Sequence, residues 1–343
     1  MAAAASGAGS LGLPVSAPVV RKGLMVDRFG RRITYLRVSV TDRCNLKCTY
    51  CTPLSSGVFL PAEELLTDDE IISVLTTMAE LGLEKVRFTG GEPLVRPGFL
   101  GLVRRASAIP GLSLRTLSTN GILLADMAAD LLAAGITGVN VSVDTLDPDR
   151  FREVTRGGSL DRVWRGIERV LELGLRSVKL NAVLMRGVND GELEAFARLT
   201  YRYPISVRFI ELMPLSHCGD VFHEERYASA DLVLAALARI GPAAPQPRDA
   251  NDGPARGYRL PGALGTVGVI TPVSESSFCA RCNRVRLSAN GQLKLCLFGD
   301  EYVDLKRILR GGGSLEASLL EAMDRKPEKM AGYSGFTMMS IGG

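Results

Sequence analysis

Six runs of apolar residues with polar residues interleaved recur along the chain. They are residues 33–40 (ITYLRVSV), 84–90 (EKVRFTG), 112–119 (LSLRTLST), 138–144 (GVNVSVD), 176–184 (RSVKLNAVL) and 205–213 (ISVRFIELM). This spacing has the period of a β-strand. Between the runs, stretches such as 68–82 (DDEIISVLTTMAELG) and 126–135 (DMAADLLAAG) carry apolar residues at helical spacing and close on glycine. Strand–helix units in series predict a parallel sheet with helices outside, because parallel neighbours need a long crossover. A closed barrel of this kind uses eight units. Six predict an α/β fold: an incomplete (βα)6 TIM-like barrel.

The pattern changes near residue 245, where 241–257 (GPAAPQPRDANDGPARG) reads as a loop. Beyond it, 284–298 (RVRLSANGQLKLCLF) predicts a strand pair turning at Asn290-Gly291. The expected organisation is a disordered extension over 1–22, the partial barrel over 23–244, and a C-terminal extension over 245–343. The first twenty residues are small and of low complexity, without the charged start of a signal peptide. No apolar run approaches the roughly 20 residues of a membrane span. A cytoplasmic protein is expected, and a net charge of +4 is too mild to argue for nucleic acid.

The strands are more polar than buried parallel strands usually are. Alternation puts Arg37, Ser39 and Thr41 on one face of the first run and Arg87 and Thr89 on one face of the second. Asn140, Ser142 and Asp144 share a face of the fourth, and Lys179 and Asn181 a face of the fifth. One such charge would point outward between helices. Several in succession favour a polar, cationic lumen, since an unpaired buried charge is costly and helix-covered faces want apolar residues. A lumen lined by arginine and lysine suits an anion, a nucleoside triphosphate being one candidate.

Three of the seven cysteines, Cys44, Cys48 and Cys51, fall within residues 41–51 (TDRCNLKCTYC). A structural zinc site takes four ligands, often with histidine. The two histidines, His217 and His223, lie far along the chain. A disulfide framework fits a small secreted domain with an even count. Thiolates also hold iron–sulfur clusters, and three cysteines on a four-iron cubane leave one iron open. A second set, Cys279, Cys282 and Cys296, repeats the count with Arg284 and Arg286 between its members. Two arginines two apart share a side of a strand and could clamp phosphate. The seventh cysteine, Cys218, reads as an ordinary loop residue.

CNLKCTYC (44–51) and TGGEPLVRP (89–97) resemble the CxxxCxxC and GGEP segments of radical S-adenosylmethionine (SAM) enzymes. LSTNG (117–121) and NVSVDTLD (140–147) resemble later landmarks of that superfamily. The second cysteine set with RVRLS and the ending IGG narrow the resemblance to the GTP 3′,8-cyclase family, from about residue 24 to the end. Thr52 stands where many relatives carry Met, which changes no ligand.

The resemblance implies two 4Fe–4S clusters, on Cys44, Cys48 and Cys51 and on Cys279, Cys282 and Cys296. SAM would chelate the open iron of the first, its one-electron cleavage giving a 5′-deoxyadenosyl radical. Tyr50, Gly91, Ser142 and Met213 would complete its pocket, with the Gly90 and Gly91 backbone against the methionine part. For Met213, core packing would be the reading without the family. GTP would face the second cluster, held by Arg37, Arg87, Ser118, Lys179, Arg284 and Arg286. Hydrogen abstraction at C3′ and attack on C8 would give 3′,8-cyclo-7,8-dihydro-GTP, the first step of molybdenum-cofactor biosynthesis. Gly342 and Gly343 would thread toward the reacting groups. A reductase or flavodoxin-type electron donor, a downstream cyclic pyranopterin monophosphate synthase and a homodimer complete the implied partners. Rival readings are a radical SAM enzyme for a peptide or another nucleotide, and a two-cluster electron carrier.

Overall fold

A computed structural model describes residues 23–51, 59–213, 224–247 and 253–330 of the chain. Residues 1–22, Thr52, Cys218, both histidines, Gly342 and Gly343 fall outside the described residues, and so do the expectations that rest on them.

The six predicted strands form where the alternation places them: β1 (Tyr35–Ser39), β2 (Lys85–Thr89), β3 (Leu114–Thr119), β4 (Gly138–Ser142), β5 (Val178–Leu184) and β6 (Ser206–Glu211). They pair in sequence order, all parallel. The crossovers run through α1 (Asp68–Glu80), α2 (Phe99–Ser107), α3 (Leu124–Ala134), α4 (Pro148–Thr155), α5 (Leu160–Glu172) and α6 (Leu193–Arg202). Local chemistry starts and stops these helices. Thr67 and Glu70 close a capping box at the head of α1. Asp147 accepts from the Asp149 and Arg150 amides before Pro148 opens α4, and Gly135 ends α3 in the left-handed conformation. Residues such as Leu36, Val38, Val86, Val139, Val141 and Leu180, fully buried, bind the sheet to the helix layer.

The chain beyond β6 is woven into the same sheet rather than hung from it. It supplies α7 (Asp231–Ile240), β7 (Ala244–Pro245), β8 (Arg256–Arg259), β9 (Thr266–Ile270), β10 (Arg284–Leu287), β11 (Gln292–Lys294), β12 (Tyr302–Asp304), α8 (Leu305–Arg310) and α9 (Leu315–Asp324). β9 adds in parallel to the free edge of β6, and β10 adds in parallel to the free edge of β1. The order is β12-β11-β10-β1-β2-β3-β4-β5-β6-β9-β8-β7. Both open edges of the six-strand barrel, with their unpaired backbone groups, are thus covered by one later segment.

The strand pair predicted over 284–298 is β10 and β11, antiparallel, with Gly291 at φ 86° in the turn. The loop expected over 241–257 holds part of an edge ladder instead, β7 against β8 and β8 against β9. Its Gly- and Pro-rich sequence has no alternation to announce strands, and Pro245 is tolerated because β7 is an edge.

Candidate active site

The C-terminal ends of the parallel strands carry the chemistry, as expected of this class of sheet. The loop after β1 bears Cys44, Cys48 and Cys51, and the loop after β2 packs directly against it. Gly91 N–H donates to Thr41 O and Glu92 N–H to Arg43 O, both at 2.8 Å. A Cβ on Gly90 would lie 2.3 Å from Thr41 O, and one on Gly91 2.2 Å from Arg43 O. The glycines therefore do more than leave room for a ligand. They let two backbones touch, at positions where any side chain would force them apart.

Glu92, fully buried, ties this loop to the end of β3. It accepts from Leu94 N–H (3.1 Å), Thr119 Oγ1 (2.8 Å) and Asn120 N–H (2.7 Å). Burial raises its carboxyl to about 7 despite those donors. Asn120 in turn donates through Nδ2 to Asn45 Oδ1 (2.7 Å) and toward Cys44 Sγ (3.8 Å). Tyr50 donates to Asp144 Oδ2 at 2.5 Å, and Asp144 Oδ1 accepts from Val183 N–H at 2.8 Å. Glu92, Asn120 and this role of Asp144 were not singled out in the sequence. TGGEP and LSTNG flagged the segments, but not which side chains bridge them.

The thiols of each triplet feel one another. Burial, then Cys51, Asp144 and Cys44, push the Cys48 thiol strongly up. Burial also raises Cys44 and Cys279. Burial would push Cys282 up too, but the Lys326 ammonium and the Arg284 guanidinium outweigh it and bring the thiol to about 6. Among the described residues no three His, Cys, Asp or Glu side chains form a group able to hold one metal ion. A tetrahedral zinc site needs such convergence. A multi-iron cluster does not, because each thiolate binds a different iron. Three thiols along one cavity wall fit that group.

Strand register sets the cations in rows. Arg37 of β1 sits between Arg87 of β2 and Arg286 of β10. One step earlier, Tyr35 sits between Lys85 and Arg284. Arg87 and Arg286 are buried. No carboxylate lies within ion-pair range of Arg37, Arg87 or Arg284 among the described residues. Arg87 is instead held by Asn140, whose amide oxygen, turned toward it, accepts from both terminal nitrogens at 3.0 and 2.8 Å. Burial, then the neighbouring Arg284, lowers Arg286 to about 10, and burial followed by Arg286 lowers Arg37. Burial would raise the Tyr35 phenol, but Arg87, Arg37, Lys85 and Arg284 together bring it to about 8. Among the described residues, Nε of Arg37, the Tyr35 hydroxyl and Oδ1 of Asn181 have no hydrogen-bond partner. Cations crowded at this density call for an anion between them.

Two cavities meet across this cationic wall. One, about 230 Å³, is lined by Cys44, Cys48, Cys51, Tyr50, Gly90, Gly91, Ser118, Ser142, Asp144 and Met213. The other, about 130 Å³, is lined by Cys279, Cys282, Cys296, Arg87, Arg284, Phe278 and Lys294. Arg37, Asn181, Ile210, Met213 and Arg286 line both. All four residues expected at SAM thus share the first triplet's cavity. Of those expected at GTP, Arg37, Arg87, Arg284 and Arg286 line the second. Ser118 lines the first instead, and Lys179 lines neither, lying one step before Asn181 on the same face of β5. Arg208 and Lys294 also line the second cavity; as single cations in long runs they carried no sequence signal.

This fold and this cysteine loop define a radical SAM enzyme. Residues 38–200 match the radical SAM superfamily, and residues 205–332 match the Molybdenum Cofactor Synthesis C family. The Streptococcus suis protein SuiB, solved bound to S-adenosylmethionine, shares the fold at a TM-score of 0.60 and 16% identity, over 80% of this chain and 65% of that one. The chain is 47% identical to a GTP 3′,8-cyclase of Pelotomaculum thermopropionicum, over 93% of its own length and 100% of the relative's. It is 44% identical to that of Peptoclostridium acidaminophilum, over 94% and 99%. The chain belongs to the GTP 3′,8-cyclase family, and that family carries a 4Fe–4S cluster and SAM.

Proposed function

We propose that the two cavities hold the two reactants of GTP cyclisation, SAM beside Cys44, Cys48 and Cys51 and GTP beside Cys279, Cys282 and Cys296. The product is 3′,8-cyclo-7,8-dihydro-GTP, the first step toward molybdenum cofactor. The observation that carries this reading is the shared wall: each cavity is lined by one thiol triplet, and Arg37, Asn181, Ile210, Met213 and Arg286 line both.

In this reading Cys44, Cys48 and Cys51 bind three irons of the first cluster, and Cys279, Cys282 and Cys296 bind a second 4Fe–4S cluster. When bound, the first cluster and SAM supply a one-electron cleavage that delivers a carbon radical to ribose C3′. The chain's own residues place what reacts. Asp144 fixes the Tyr50 hydroxyl, so the ring presents one orientation to SAM, with Gly91, Ser142 and Met213 around it. Arg87, Arg284 and Arg286 neutralise the triphosphate, with Arg37 at the junction where ribose must meet SAM. Phe278 backs Arg284, whose guanidinium lies 5.8 Å from the ring centroid. Ile210 and Met213 close the junction with apolar surface, which keeps water from a radical with many exits. Ser118 would act from the first cavity, and Lys179 from its place before Asn181 on β5. Gly342 and Gly343 are assigned to the same reaction on the family resemblance alone.

One electron from a reductase or flavodoxin-type donor would start each turnover, a second electron and a proton would complete the dihydro product, and that product would pass to a cyclic pyranopterin monophosphate synthase. Residence in the cytoplasm suits thiols that must stay reduced. No helix among the described residues is long and apolar enough to cross a membrane. The test is anaerobic incubation of the reconstituted protein with GTP, SAM and reductant, followed by mass spectrometry. Cyclised GTP together with 5′-deoxyadenosine supports the reading; SAM cleavage indifferent to GTP would overturn it.

A further inference from the structure

Lys326 stands just beyond α9 and is buried, its Nζ donating to two backbone carbonyls: Leu295 O and, at 3.1 Å, Arg284 O. These carbonyls belong to different segments of the second cysteine site. Arg284 follows Cys282 by two residues, and Leu295 precedes Cys296. The ammonium is thus a pin between the two strands of chain that carry the thiols. A buried lysine satisfied by carbonyls is an expensive choice, since methionine would fill the space without desolvating a charge.

A second cation secures the same corner from the other end of the chain. Arg31, bonded to Asp27, donates to Cys279 O at 2.9 Å, Pro327 O at 2.6 Å and Glu328 O at 3.0 Å. Segment 326–328 is therefore held against all three cysteine positions. Arg31 is neutralised by Asp27; among the described residues Lys326 has no carboxylate partner. Its charge is left to act on the Cys282 and Cys296 segments whose carbonyls it holds.

We infer that Lys326 is a positioning residue of the second cluster, fixing the Cys282 and Cys296 segments and supplying the positive charge that offsets the thiolates. This inference rests on the reading that Cys279, Cys282 and Cys296 hold a cluster. An uncompensated positive charge near a cluster stabilises its reduced, more negative form. Removing it shifts the midpoint potential to more negative values and loosens the iron.

The experiment compares wild type with Lys326→Arg, Lys326→Gln and Lys326→Met, each reconstituted anaerobically. Iron content, the midpoint potential of each cluster by EPR-monitored titration, and iron loss to a chelator are measured. The first cluster, in the same molecules, is the internal folding control. Lys326→Met and Lys326→Gln should shift the second cluster's potential negative and lose its iron roughly 10- to 100-fold faster. Lys326→Arg should restore both, and the first cluster should not change. Should Lys326→Met lose the first cluster too, Lys326→Gln, which keeps N–H donors without charge, decides against Lys326→Arg. A second-cluster potential that stays at the wild-type value in Lys326→Gln overturns the inference. Wild type carrying a single four-iron cluster would instead overturn the two-cluster reading beneath it.

Discussion

Arg284 and Arg286 sit two apart on β10 yet meet different surroundings. Arg284 is half-buried beside Phe278, while Arg286 is buried in register with Arg37. Replacing either with alanine should weaken GTP binding by roughly 1.5–3 kcal/mol, the range for a charge-assisted hydrogen bond. Guanosine, which lacks the triphosphate, should lose much less, and calorimetry with both ligands checks this. Equal losses would remove the phosphate from the argument. Glu92 gives a second expectation at this scale, from its carboxyl raised by burial from 4.5 to about 7. A raised folded-state pKa contributes stability that is full below the unfolded value and lost as pH rises through the folded one. Between pH 4.5 and about 7, wild type should therefore lose up to about 3 kcal/mol, at 1.36 kcal/mol per unit. Glu92→Gln cannot ionise, so urea unfolding of the metal-free variant should show a flatter profile across that window. Parallel profiles for the two proteins would mean that Glu92 does not titrate there.

At the scale of elements, the legible part of the fold is the part whose signal is local. β1 to β6 announce themselves by alternation, and α1 and α3 by helical spacing and closing glycines. The cysteine sets were legible because three thiols at short spacing have few uses. What could not be read is where β9 and β10 would go, because pairing across sixty residues or more leaves no periodicity in either strand. The rows Arg87–Arg37–Arg286 and Lys85–Tyr35–Arg284 exist only once that register is fixed. Alternation could say that Arg37 and Arg87 share the lumen side, but not that Arg286 would complete the row. The glycines of GGEP were legible as permissive positions, though not as the place where two loops press together. Register also makes β10 vulnerable at Val285, buried and paired with Leu36. Val285→Asp buries an unpaired carboxylate and should cost about 3 kcal/mol or more. Hydrogen exchange should then rise first in β10 and β11, with β3 to β5 protected longer. Uniform exposure across the sheet would show that the C-terminal strands and the barrel unfold as one unit.

Across the whole molecule, one chain closes both edges of a six-strand barrel with its own last third and brings a second thiol triplet to a cavity that shares a wall with the first's. Among the described residues, the two cavities share the wall made by Arg37, Asn181, Ile210, Met213 and Arg286. That separation predicts a division of labour. Serine at Cys44, Cys48 or Cys51 should abolish reductive cleavage of SAM, because the site that would bind it loses a ligand. Serine at Cys279, Cys282 or Cys296 should leave the SAM-binding cluster in place, yet abolish cyclisation of GTP. The two classes should also differ in iron: each should lose the cluster it touches and retain the other, as read by Mössbauer spectroscopy alongside product analysis. The geometry gives the reason. The first triplet is braced by Asn120, Glu92 and the Gly90–Gly91 contact, all within the barrel, whereas the second is braced by Arg31 and Lys326. Among the described residues these braces are separate, so loss of one cluster should not empty the other site. Equal loss of iron from both sites in every variant would mean a single shared site, and the two-cavity arrangement would have to be read as one.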